Sequence, residues 1–514
     1  MSQAGLPSYV KSLKSGHKAA SAYAAGLDAH PSLSQLPLGD PMEAPALPLA
    51  PRRPTSDRSL LMAWGLNKTF LQEQDFELDQ RLRQLPSGAL MFLHQDKLLH
   101  HVFDGQKKLY NATPLMAGAP VLTLGELDSA PARRTSGQPD SSLVTGILLK
   151  TLPMAMPLIE AEARLFATHM LGPRQGQKIN LTQAMDDLAC RVLTRLILPA
   201  TPPEAILAVV KATEQRQETG ILNDLARLPV QSRLSSQWKS SKQSIEVQLL
   251  RRRLSTTIKT MRKPAVAQSM TGLNGQDVLL QLVSGQLKPK LTDNQIVQTL
   301  HAVFGGLRHQ LRSMLIWTFG LLAHQAQFRH ICEMEADLLA DTKVPLAMLL
   351  EQAAFTTAAI EECWRLYPPV PVMVWKLLLD DKIGRISIKA GSHVAVSPYV
   401  LHRHKDFWPH AHRFDPARFM GSQRAAIKPY AYLPFGEHKT GSDRALCPNT
   451  ALFQPVMTIL LLSILHRIRF VPLPDTPLPQ PVFNTQIEPS KAVFMTINTR
   501  IAETDEAKSH RFDL

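Results

Sequence analysis

Apolar positions along the 514-residue chain recur at two different spacings, and the change from one to the other divides it. From 292 to about 325, Leu300, Val303, Phe304, Leu307, Leu311, Met314, Leu315 and Thr318 form one stripe at three- and four-residue steps, with Thr292 as the expected N-cap. A helix of that length runs about 50 Å and crosses a whole domain, so the spacing predicts a central element. Residues 154–198 carry the same period on Leu158, Ala161 and Leu165, then on Leu181, Met185, Leu188, Val192 and Leu196. A shorter helix is predicted over 353–367, ended by Pro368-Pro369. Beyond it, 386–396 and 480–497 alternate around turn residues and are expected as hairpins. Helices dominate, so the predicted class is mainly α with a small β part, in a single large irregular domain.

Composition narrows this picture. Hydrophobic types make up 44% of the residues, which excludes disorder of the whole chain. Residues 36–54 are proline-rich, so 1–54 is read as a tail and linker, 55–502 as the folded domain and 503–514 as a C-terminal tail. Cys190, Cys332, Cys363 and Cys447 lie far apart without a CxxC, which excludes a zinc ribbon and argues against a disulfide-stapled secreted protein. A reducing compartment is therefore expected. The longest compact apolar run, VMTILLLSIL at 456–465, is about half of a bilayer span, so no membrane span is expected. The formal charge is +14, and 230–268 holds nine Lys/Arg against Glu246 alone. Without aromatic interleaving or a reader motif, that segment reads as a solvated helix face, and no nucleic-acid partner is expected.

The residues that point to chemistry come in a fixed order. Glu362-Cys363-Trp364-Arg365 puts a carboxylate and a guanidinium on one helix face, and Leu366-Tyr367-Pro368-Pro369-Val370-Pro371 follows at once. SPYVLHRHKDFWPHAHRFDPARF comes next at 397–419, and then a Phe-Gly turn and a cysteine in YLPFGEHKTGSDRALC at 432–447. This succession resembles the cytochrome P-450 superfamily of haem-thiolate enzymes, closely from about 292 to 472 and more loosely from about 90 onward.

The resemblance implies roles for individual residues. Glu362, Arg365 and Arg418 match the family's buried Glu-Arg-Arg set, and Cys447 matches the axial ligand of the iron of haem b. Phe435, Arg444, Lys376 and Arg133 stand nearest the positions that contact the haem. Phe304, Val370, Val372, Met373, Val482 and Phe483 are expected around an apolar pocket, and Lys428, Lys439 and Arg444 on a basic face for an acidic partner. The implied activity is monooxygenation of a lipophilic small molecule, with electrons from a ferredoxin- or flavodoxin-type donor.

The sequence also departs from the family pattern. Phe435 precedes Cys447 by twelve residues, a longer loop than the family uses, Ala445 and Asn449 replace a basic residue and a glycine, and Pro455 falls in or before the last helix. The central helix reads Phe304-Gly305-Gly306-Leu307-Arg308-His309-Gln310, and no Asp or Glu occurs between Asp293 and Glu333, so the family's acid-alcohol pair is missing. Gly305 and Gly306 are expected to open a groove, with Arg308 and His309 as proton donors. Two other readings stay open: a peroxide-using or rearranging haem enzyme, and a non-catalytic scaffold. His393, His402, His404, His410 and His412 match no metal-ligand spacing and are assigned to packing.

Overall fold

The computed structural model describes residues 43–44, 82–85, 88–93, 96–105, 115–116, 141–171, 176–198, 292–340, 346–371, 373–436, 448–483 and 486–500, together with isolated positions between 252 and 283. The predicted long helix is α4, Asp293–His324, after α1 (Asp96–His100), α2 (Ser141–Leu171) and α3 (Leu181–Ile197). Its start is a capping box: Thr292 Oγ1 accepts from the Gln295 N–H, while Gln295 Oε1 accepts from the Thr292 N–H at 2.8 Å. Leu300, Val303, Leu307, Leu311, Met314 and Leu315 are all buried. At about 1.5–3 kcal/mol each, such a stripe fixes this helix at the centre of the main core.

Helix α3 packs along α4 and buries the predicted Leu181, Met185, Leu188, Val192 and Leu196. The stripe expected on α2 is corrected. Leu158 and Leu165 face outward with Met154, while Leu152, Ala155, Met156, Ile159, Ala163 and Phe166 are the buried side. Helix α2 carries two apolar stripes, and the one made of smaller residues mixed with Ile and Phe meets the core.

Helices α5 (Ala326–Leu339), α6 (Leu346–Gln352) and α7 (Ala354–Leu366) follow, and α7 ends before the Pro-Pro pair as expected. Among the described residues the helical part also includes a π-helical turn at His101–Gly105, a short helix α8 (Pro398–Leu401), a 3-10 turn at Pro416–Phe419, α9 (Gly421–Ala425) and α10 (Pro448–Leu465).

The strands are β1 (Leu82–Leu85), β2 (Gly88–Phe92), β3 (Leu115–Met116), β4 (Lys178–Asn180), β5 (Met373–Lys376), β6 (Asp381–Ile383), β7 (Ile386–Ile388), β8 (His393–Val396), β9 (Ile468–Pro472), β10 (Pro481–Phe483), β11 (Ile487–Pro489) and β12 (Phe494–Thr499). One sheet has the order β1-β2-β8-β5-β3, with β2 and β8 parallel, and another has the order β4-β12-β9. The stretch 386–396 is not one hairpin: β7 pairs with β6, and Gly391 at φ 84° turns the chain so that β8 enters the five-stranded sheet. Within 480–497, β10 and β11 do form a hairpin, while β12 leaves it to pair with β4 and β9.

Two residues of the expected linker are part of the folded body. The Ala44 N–H donates to the His412 carbonyl at 2.7 Å, the Glu43 backbone forms an isolated antiparallel β-bridge with that of Arg413, and Ala44 is buried.

Candidate functional site

The expected Glu-Arg-Arg set is assembled around Arg365. Its Nε and Nη2 donate to the two carboxylate oxygens of Glu362 at 2.7 and 2.8 Å, one turn back on α7. Nη1 donates to the carbonyls of His402 and Ala411, both at 2.7 Å, and Nη2 also reaches the Arg413 carbonyl at 3.0 Å. All five guanidinium donors are therefore used at a side chain with no exposed surface. Glu362 in turn accepts from the Asp415 N–H and faces Arg418 Nε at 3.5 Å, while Arg418 Nη2 donates to the His410 carbonyl. Burial pushes the Glu362 carboxyl up from its ordinary value, opposed by Arg365 and then Arg418. A helix is thereby locked to the irregular segment 402–418.

His402 extends the lock. Its Nδ1 lies 3.1 Å from the Arg365 carbonyl, and its Nε2 accepts from the Leu433 N–H at 2.8 Å, a pair of contacts that selects the neutral Nδ1–H tautomer. Burial, reinforced by Arg365, holds it well below the ordinary histidine range. Through Leu433 the network reaches Phe435, which meets the Trp364 ring edge-on at 4.9 Å and stacks on Phe453 of α10 at 5.8 Å. The Pro434 carbonyl accepts from the Val370 N–H, and Gly436 turns away at φ 81°. On the far side α10 starts at Pro448, directly after Cys447, with Pro455 inside the helix. Proline suits that first turn, because its missing N–H would have had no helical partner there. Both flanks of the loop are thus set, while Arg444, Cys447 and Lys439 lie outside the described residues, as do Arg133 and Val372. Lys376 is placed through its backbone alone, paired with His393.

The three described cysteines are all buried and free. Burial pushes the Cys190 and Cys363 thiols up to about 12 and raises Cys332 further in the same direction, so each is an inert thiol at neutral pH.

On α4, where a groove is expected at Gly305 and Gly306, a Cβ built at Gly305 meets no atom within 4 Å. Among the described residues α4 packs on α3 and α7, whereas α10 packs on α2, α5 and α7, and the two share no extensive face. Arg308 does not face that groove as a free donor. Its Nη2 donates to both carboxylate oxygens of Asp186 on α3 at 2.7 Å, and both side chains are buried. Asp186 also faces Arg312 at 3.7 Å, and Arg312 pairs with Glu488 of β11 at 3.1 Å. His309 is kept neutral: burial, then Arg308 and Arg312, pull it down to about 3. At that value it is no general acid at neutral pH.

The roof of this region is the β10–β11 hairpin. The Ile487 carbonyl accepts from Ser313 Oγ at 2.8 Å and from Trp317 Nε1 at 2.6 Å, and Trp317 stacks on Tyr367 at 3.8 Å. Of the expected pocket positions, Phe304, Val370 and Met373 are buried.

A carboxylate that sequence reasoning passed over supports α7 from outside. Glu335 of α5 accepts from the N–H groups of Phe355 and Thr356 at 2.8 and 2.7 Å and from Thr356 Oγ1 at 2.6 Å. It supplies the cap that Ala353 lacks. Burial raises Glu335 to about 7, partly offset by Thr356 and the two backbone donors. Asp186 and Glu335 carried little signal in the sequence, because each stands beside other acids of its own helix, Asp187 in the first case and Glu333 and Asp337 in the second.

No group of three or more His, Cys, Asp or Glu that could hold a metal ion occurs among the described residues, and His402 and His404 take part in packing and local hydrogen bonds as expected. None of the described helices is long and apolar enough to cross a membrane.

Comparison with known proteins gives these elements a context. Residues 141–494 match the family model described as cytochrome P450. The chain is 28% identical over 207 residues to Cytochrome P450 3A19 of Capra hircus aegagrus, covering 40% of this chain and 92% of that protein. It is 26% identical over 215 residues to Thromboxane-A synthase of Rattus norvegicus, covering 41% of this chain and 39% of the relative. It is also 26% identical over 196 residues to the protein LUTEIN DEFICIENT 5, chloroplastic, of Arabidopsis thaliana, covering 38% and 32%. Apart from the goat protein, the matches span well under half of these relatives' lengths.

Proposed function

This chain belongs to the cytochrome P450 family, and from that premise we propose that it is a haem-thiolate oxidoreductase with Cys447 as the iron ligand. One observation carries the assignment: the flanks of the loop are held in place, Phe435 through His402 and α10 from Pro448 onward, on a complete Glu362–Arg365–Arg418 lock. The inert state of Cys190, Cys332 and Cys363 supports the choice of sulfur, since a ligand must be a thiolate. The first turn of α10 follows Cys447 directly and would favour negative charge there. Phe435 would pack beside the group, and Arg444, Lys376 and Arg133 are the cations proposed for its carboxylates.

Bound haem with a thiolate ligand supplies electron density that favours O–O cleavage. The residues of the chain would exclude water and hold the substrate: Phe304 offers an apolar side chain on α4 beside Gly305, Val370 and Met373 are packed in core, and the β10–β11 hairpin fastened by Ser313, Trp317 and Arg312 closes the space. The proposed reaction inserts one oxygen atom into a lipophilic small molecule, with electrons from a ferredoxin- or flavodoxin-type partner, in the cytoplasm. Purified protein is expected to show a Soret band and, once reduced, the red-shifted carbon monoxide complex of a thiolate-ligated haem. Cys447→Ala is expected to abolish the red shift. A colourless protein overturns the proposal.

A second reading, oxidation supported by peroxide without a reductase, is favoured by one feature: α4 offers no carboxylate near Gly305, and Arg308 is engaged by Asp186. Product formation from substrate and hydrogen peroxide alone separates the two.

A further inference from the structure

His309 is deep enough that burial is the largest influence on it, yet it keeps accessible surface, so its ring borders open space rather than packed core. It sits four residues after Gly305, on the same face of α4, beside the open volume where a Cβ would meet nothing. One turn further on, Ser313 is covered by the Ile487 carbonyl, so the hairpin roofs this face immediately beyond His309. Among the described residues no hydrogen bond reaches the imidazole, unlike His402, whose two nitrogens are both engaged.

The charges around the space are matched within the protein. Arg308 is neutralised by Asp186, Arg312 lies between Asp186 and Glu488, and α4 has no other acid after Asp293. Phe304 and Leu307 supply apolar surface on the same stretch. An incoming carboxylate would find no free counter-charge among these groups, and burying one unpaired is strongly unfavourable. A purely apolar ligand would strip water from the imidazole and return nothing, leaving a buried polar group unsatisfied. A hydroxyl suits it in either tautomer, because it donates to a bare ring nitrogen or accepts from a protonated one.

We propose that His309 is a specificity-determining subsite that selects uncharged, mainly apolar ligands carrying one hydroxyl group. This deepens the function proposed above and rests on the same pocket, though not on haem chemistry.

The test is calorimetric titration of the full-length protein with a matched set: 1-decanol, decyl methyl ether and decanoate. Decanol is expected to bind about tenfold more tightly than either of the others, as a site built for a hydroxyl discriminates against analogues lacking it. His309→Leu is expected to bring decanol down to the ether's affinity while leaving the ether unchanged, and His309→Gln to restore part of the preference. Equal binding of decanol and ether by the unaltered protein, or tightest binding of decanoate, overturns the proposal even if neither variant folds. An absorption spectrum of the same sample separates the two readings. A hydroxyl preference in a protein without a Soret band removes the haem function and keeps the subsite, and a Soret band without the preference does the reverse. A nitrogen-ligated iron spectrum lost in His309→Leu places the imidazole on the iron and also overturns the subsite.

Discussion

Arg365 and Arg308 are both buried arginines gripped by a carboxylate with two close contacts, and they were not equally visible beforehand. Arg365 meets Glu362 three residues away on one helix, and its remaining donors go to backbone carbonyls of 402–413. Arg308 meets Asp186, which lies 122 positions earlier on another helix. Local spacing announces the first partnership. The second exists only because α3 packs along α4, so in sequence Arg308 stood without an acid and read as an available proton donor. A buried cation with no local partner is better taken as a statement about a neighbouring helix.

The comparison is broken most severely at Arg365. Arg365→Ala takes from the buried Glu362 its bidentate partner, leaving only Arg418 at 3.5 Å and the Asp415 N–H, and frees three carbonyls; it is expected to destabilise the fold by about 3–5 kcal/mol, read as a loss of cooperative unfolding or of soluble protein. Arg365→Lys is expected to rescue little, since an ammonium cannot reproduce the fork that serves Glu362 and three carbonyls.

Asp186→Asn should cost somewhat less, about 3 kcal/mol in denaturant unfolding, because Arg308 then keeps an amide oxygen but no compensating charge. Adding Arg308→Gln is expected to recover part of that loss, and a simple sum of the two single effects would show that the pair is not coupled.

Glu335 sharpens the contrast in pH. Its folded value of about 7 lies above the ordinary 4.5, so the folded state holds the proton more tightly than the unfolded chain. The stability it contributes is therefore present below about pH 4.5 and is lost as pH rises through 7. Between pH 5 and pH 8 the wild type should lose about 2 kcal/mol more than Glu335→Gln. Parallel pH profiles for the two proteins would exclude this role.

The exposed pair Lys389–Asp380 marks the lower end. Lys389→Ala is expected to leave the melting temperature unchanged, because solvent screens such a pair.

What the sequence made legible follows the same division. The α4 stripe and its Thr292 cap were readable because period and cap are local, and so was the end of α7 at Pro368. Glu362, Arg365 and Arg418 were readable from spacing and resemblance together. The face of α2 was not, because two apolar stripes share that helix and only the tertiary partner distinguishes them. Nor was the fate of β8: alternation around Gly391 looks the same whether the chain folds back on β7 or enters a sheet beside β2. The space beside Gly305 needs no partner to be anticipated, since it follows from the absence of a side chain, and a Cβ built there meets no atom within 4 Å.

The contact made by Glu43 and Ala44 bears on how the molecule is handled. Trimming a recombinant chain at residue 55, the obvious boundary if everything before it is linker, would delete a small plug seated against the segment around Arg413. The gap would open beside carbonyls that grip Arg365. Purification losses from a shortened clone would then mimic a defect in the site itself, and an expression design that begins upstream of Glu43 avoids the confusion.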